Sequence, residues 1–85
     1  MNIREIILDT FKEVLVEEGV TVYVPADSDL LLETDLDSLG FAVLVARLED
    51  RVGFDPFTIS TSSYYPKTFG EFIQFYESVK KQVDL

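Results

Sequence analysis

The chain of 85 residues contains no cysteine and no histidine. Without cysteine there is neither a disulfide framework nor a thiolate metal site. Without both residue types the chain cannot assemble a Ser-His-Asp triad, a Cys-His pair or an imidazole zinc site. An independent serine hydrolase is disfavoured on that ground, no enzyme activity is expected, and chemistry at a hydroxyl is expected to be done by another enzyme. Cations are scarce too: seven Lys and Arg stand against sixteen Asp and Glu, a formal charge of −9. That balance repels nucleic acid and anionic membrane and favours partners with basic patches. No apolar run approaches the ~18 residues of a membrane span, and Met1-Asn2-Ile3-Arg4-Glu5 lacks the basic-then-apolar layout of a signal peptide. A cytoplasmic monomer with no membrane insertion is therefore expected.

What is present is a folding sequence, with 47% apolar and 13% aromatic residues. Its length predicts a single domain over residues 1–85, burying roughly 60% or slightly more of the unfolded chain's surface. Ile3, Ile6, Ile7, Phe11, Val14 and Leu15 recur at helical spacing; Asn2 with Glu5 resembles a capping box, and Gly19 stands where a helix stops. From Val20 to Asp37 the period breaks. The β-branched run Val20-Thr21-Val22-Tyr23-Val24 has strand propensity, but no second alternating run exists to pair with it, so a loop is expected instead. Leu30, Leu31, Leu32 and Leu36 predict that this long loop lies across the helices and buries part of itself.

A second helix is expected from about Ser38 to Val52, ended by Gly53. Phe41, Leu44, Val45, Leu48 and Val52 form its core stripe; Leu39, Val43 and Ala46, with Gly40 beside them, lie on another face, and charge enters only with Arg47, Glu49, Asp50 and Arg51. A helix apolar nearly all round is deeply buried or keeps one face for a partner. Asp55-Pro56 and Ser60-Thr61-Ser62-Ser63 mark a connector with one short helical turn. Thr68 to Glu71 is a capping box opening a last helix that ends near Val83, with Phe69, Phe72, Ile73, Tyr76, Val79 and Val83 at helical spacing. Phe75 falls off that stripe and is expected at the surface. The sum is a small all-α bundle of three main helices plus a short turn, with a long first loop.

The chemistry-bearing stretch is Thr34-Asp35-Leu36-Asp37-Ser38-Leu39-Gly40-Phe41. Ser38 is placed at or near the N-cap of the second helix, yet the residue three further on is Phe41 rather than Glu or Gln, so no reciprocal cap is available. A calcium loop beginning at Asp35 fails, because its fifth and twelfth positions are Leu39 and Ala46.

Asp37-Ser38-Leu39 opening an apolar helix near mid-chain, with Leu36 before it and Leu48-Glu49-Asp50 and Val52-Gly53 after it, resembles the acyl carrier protein family over essentially the whole chain. The resemblance implies that Ser38 is esterified by 4′-phosphopantetheine, transferred from coenzyme A by a phosphopantetheinyl transferase, so that the arm's thiol carries acyl groups as thioesters. It implies recognition of Asp37 by the transferase and a place for Leu39 beside the attachment point. Further partners would be an acyl-loading ligase or synthase and acyltransferases, meeting a surface of Gly40, Val43, Ala46, Arg47, Glu49 and Asp50. Many members carry acidic residues where this chain has Gly40 and Val43, which points to a specialised lipid or secondary pathway with partly hydrophobic docking. Aminoacyl, D-alanyl and peptidyl carriers share the serine and remain alternatives. The alternative of another class is an unmodified acidic interaction module in which Ser38 merely caps.

Overall fold

The computed structural model describes residues 2–60 and 64–83. Asn2 starts the first helix: its Oδ1 accepts the Glu5 N–H at 3.1 Å, and α1 runs Ile3–Glu17. The helix stops at Gly19 (φ 76°), a left-handed conformation that side-chain-bearing residues adopt at a cost. There the Gly19 N–H donates to Val16 O and the Val20 N–H to Leu15 O, both at 3.1 Å, the paired bonds of a glycine-terminated helix end. The second helix, α2, spans Ser38–Val52 and ends at another left-handed glycine, Gly53 (φ 89°), whose N–H donates to Glu49 O at 2.9 Å. In the connector, the side chain of Asp55 accepts the Phe57 N–H at 2.9 Å and starts the short α3, Pro56–Ile59. The run at 61–63 lies outside the described residues.

The last helix, α4, spans Phe69–Val83. It opens on the expected capping box, with the Glu71 N–H donating to Thr68 Oγ1 at 3.1 Å and the Thr68 N–H to Glu71 Oε1 at 3.2 Å. The molecule is all-α, and among the described residues the run 20–24 forms no strand.

α1 packs against both α2 and α4, and α3 lies on α4. Ile3, Ile7, Phe11, Val14 and Leu15 of α1 meet Leu44, Leu48 and Val52 of α2 and Phe69, Phe72, Ile73, Tyr76 and Val79 of α4 in one core. Phe41 and Val45, expected in the core stripe of α2, are only half-buried. Aromatic rings make much of the core, and Phe72 is their hub. Its ring lies 5.1 Å from Tyr76, 6.3 Å from Phe69, and 6.4 Å from both Phe41 and Phe57. Phe75 is not at the surface as its spacing implied. Phe57 (5.1 Å) and Tyr64 (5.3 Å) cover it edge-on, and it is buried. A helical stripe records only what a helix's main neighbours bury; the connector adds a second cover.

Tyr76 is fully buried, and among the described residues its hydroxyl has no hydrogen-bond partner. Burial pushes its phenol far above the ordinary value, and the carboxylates of Asp55 and Glu49 act in the same direction. Tyr76→Phe removes an unsatisfied polar atom and keeps the ring's shape, so it is expected to raise unfolding free energy by about 1 kcal/mol in urea titration. A group whose folded-state pKa is raised gives stability that is complete below its unfolded value, near 10, and is lost as pH rises above it. The alkaline fall in stability should therefore be shallower in Tyr76→Phe than in the parent.

The long loop between α1 and α2 is tied to the start of α4. Leu31 N–H donates to Lys67 O, Phe69 N–H to Asp29 O and Gly70 N–H to Asp27 O, each at 2.9 Å. Asp27 also takes both guanidinium nitrogens of Arg4, at 2.8 and 2.9 Å. Of the leucines expected to bury this loop, Leu36 is buried and Leu31 half-buried, whereas Leu30 (44%) and Leu32 (98%) are exposed. The close approach needs Gly70: a Cβ there would lie 2.8 Å from Asp27 Cβ and 3.1 Å from Asp27 O. At an exposed helix position Gly→Ala gains up to about 1 kcal/mol. Here the obstacle includes backbone, and Gly70→Ala is expected to lower stability by about 1 to 3 kcal/mol in the same titration.

Candidate functional site

Asp37, not Ser38, caps α2. Its backbone is extended (φ −83°, ψ −175°), and its Oδ1 accepts the Gly40 N–H at 2.8 Å. Ser38 is thereby the first helical residue. Its side chain is exposed, and among the described residues its hydroxyl makes no hydrogen bond. The N–H groups of Ser38 and Leu39 precede any intrahelical acceptor and also lack partners there. The approach to the site is held from behind: the Asp35 N–H donates to the Tyr23 hydroxyl at 3.3 Å, and the Tyr23 ring stands edge-on to Phe11 at 5.9 Å.

The outer face of α2 differs from the expected one at Gly40. That residue heads the buried row continued by Leu44, Leu48 and Val52, and a Cβ on it would meet Leu36 Cδ2 at 3.1 Å. Gly40 thus lets the loop residue Leu36 close over the helix and is not available to a partner. Leu39 is 68% exposed, Ala46, Glu49 and Asp50 are exposed, and Val43 is half-buried. Ala42 belongs to this face as well. Its spacing of three from Leu39 and four to Ala46 was the signal that would have found it.

Arg47, expected to face a partner, is half-buried and reaches across to α1. Its Nη1 and Nη2 donate to Glu17 at 2.7 and 2.9 Å. One turn on, Arg51 donates to both carboxylate oxygens of Glu13 and to Thr10 Oγ1, the last at 2.9 Å. Hydrogen bonds from these arginines hold the carboxyls of Glu17 and Glu13 below the usual range. Such depressed groups add stability above their unfolded pKa and lose it as pH falls through the lower folded value. Both pairs lie in solvent, where screening keeps the contribution small.

The site is an exposed hydroxyl at the start of α2. Asp37 uses one carboxylate oxygen on the helix it caps, and the chain has no histidine. Among the described residues no three Asp or Glu side chains are grouped to hold a metal ion. No family model, curated protein or solved structure matches this chain.

Proposed function

We propose that the protein is a carrier: Ser38 receives 4′-phosphopantetheine from coenzyme A through a separate transferase, and the chain presents the arm's cargo to partner enzymes in the cytoplasm. The observation that carries this reading is the division of labour at the start of α2. Asp37 performs the capping, which leaves the Ser38 hydroxyl exposed and uncommitted. A serine needed only as a cap would have its oxygen on a first-turn N–H.

The residues fit the group. A phosphodiester on Ser38 would stand at a helix N-terminus beside the open N–H groups of Ser38 and Leu39, which suits an anion. Asp35 and Asp37 oppose a further negative charge, and a flexible arm that visits several enzymes has no need of tight phosphate binding. When bound, the group supplies a thiol that carries acyl groups as thioesters, chemistry unavailable to a chain without cysteine. Leu39, Ala42, Val43 and Ala46 then form an apolar landing surface next to the attachment point, bordered by Glu49 and Asp50. A loading ligase or synthase and acyltransferases of a specialised pathway are the partners such a surface fits.

The test is intact-mass analysis after incubation with coenzyme A and a broad-specificity phosphopantetheinyl transferase. A gain of one phosphopantetheine group, mapped to the peptide containing Ser38, is expected. An unchanged mass would overturn the reading.

A further inference from the structure

On the approach to Ser38, four consecutive residues are each held by a contact of their own. The Thr34 hydroxyl and N–H both donate to Leu31 O, at 2.7 and 3.2 Å. The Asp35 N–H donates to the Tyr23 hydroxyl. The buried Leu36 lies on the bare Cα of Gly40, where a Cβ would stand 3.1 Å from Leu36 Cδ2 and 3.4 Å from both Leu36 Cβ and Asp37 Oδ1. Asp37 accepts the Gly40 N–H on its side chain and the Phe41 N–H on its carbonyl, at 2.8 and 2.9 Å. Leu36 and Asp37 thus close on the same glycine, and Ser38 follows as an exposed residue.

The cap at Asp37 has a rival one residue on. Aspartate and serine cap helices about equally well, and a cap at Ser38 would draw the Phe41 N–H, three residues further, away from Asp37 O. To cap, Ser38 must leave the helix for an extended conformation, which stretches its rise from about 1.5 Å to about 3.3 Å. That change lifts Leu36 off Gly40 and pulls the Asp37 carboxylate from the Gly40 N–H. The packing of Leu36 on Gly40 therefore favours the register in which Asp37 caps and the Ser38 hydroxyl stays free.

We propose that Leu36 is a positioning residue and Gly40 the seat it requires: together they hold the α2 cap at Asp37 and so keep the Ser38 hydroxyl available to an incoming group. The choice of cap stands on these contacts alone, and its meaning for attachment rests on the carrier reading. A side chain at position 40 displaces Leu36, lets the cap pass to Ser38 and occupies the acceptor hydroxyl with the Phe41 N–H.

The test compares Gly40→Ala with the double variant Gly40→Ala/Leu36→Val. The first sets a Cβ against Leu36 Cδ2; the second shortens the side chain that meets it and leaves a valine over the helix. Both are expected to fold, since alanine is the better helix former. Each is read first through the effect of Ser38→Ala on the folding constant in urea titration. In the parent that substitution is expected to change the constant by less than about twofold. In Gly40→Ala it should lower the constant about fivefold, the worth of a serine cap, and Leu36→Val should return the effect to the parental value. The second readout is the rate of mass gain from coenzyme A, expected about fivefold slower in Gly40→Ala as the free hydroxyl becomes a minor population, and restored by Leu36→Val. A direct contact between the transferase and position 40 would not be rescued by a change at the buried Leu36. The proposal is overturned by a Ser38→Ala effect that is the same with and without the Gly40 substitution, by one that Leu36→Val leaves in place, or by slowed attachment that Leu36→Val fails to restore. A parent protein that gains no mass sinks the carrier reading, and the capping result then decides the proposal by itself.

Discussion

Ser38→Ala is expected to abolish the mass gain from coenzyme A completely while leaving unfolding free energy within about 0.5 kcal/mol of the parent. The pairing of total functional loss with structural neutrality follows from the position of the serine. Its hydroxyl bonds to nothing among the described residues, and alanine has the highest intrinsic helix propensity. Asp37 should behave in the opposite way. Asp37→Ala removes the bond to the Gly40 N–H and is expected to cost about 1 kcal/mol, whereas Asp37→Asn retains a capping oxygen and removes only the charge. If the carboxylate is what a transferase recognises, Asp37→Asn slows attachment at nearly parental stability. A Ser38→Ala protein destabilised by more than 1 kcal/mol or so would mean that Ser38 shares the capping after all. A Ser38→Ala protein that still gained the full mass would place the modification elsewhere.

Phe72→Ala is expected to be the most damaging single substitution, lowering unfolding free energy by about 3 to 5 kcal/mol. The ring is buried and touches helices and connector together, through Phe41 of α2, Phe57 of α3 and Phe69 and Tyr76 of its own helix. A domain of this size has roughly 4 to 13 kcal/mol in total, so the variant should unfold near ambient temperature or lose its cooperative transition. Urea titration checks it, with Leu32→Ala as the control expected to change nothing, since that side chain lies almost wholly in water. A loss below 1 kcal/mol or so for Phe72→Ala would mean that the remaining rings close over the gap.

The helices were legible because each end carries its own chemistry. Asn2, Gly19, Gly53, and the Thr68 and Glu71 pair stand in the sequence as they act in the structure. The cap of α2 was displaced by one residue, because Asp37 and Ser38 are both good caps and only the backbone decides which is extended. Gly40 lies on the buried row 40, 44, 48, 52, not on the outer face that the sequence suggests, because a residue without a side chain contributes nothing to an apolar stripe. The spacing of Phe75 does not reveal its burial, because its cover comes from Phe57 and Tyr64 rather than from a helix at regular spacing. The reach of Arg47 across to α1 is hidden for a related reason. Its partner Glu17 is thirty residues away, and no local pattern connects them.

All three arginines of the chain are engaged with carboxylates of the same chain, and the two on α2 reach back to α1. What α2 offers outward near Ser38 is consequently apolar surface bordered by acid. The two parts govern different stages of an encounter. Negative charge raises the frequency with which basic surfaces arrive, an effect on association rate that salt suppresses. The area around Leu39 governs residence time, which salt leaves largely alone. If Ser38 carries an arm as proposed, that separation lets partners arrive quickly without being held long.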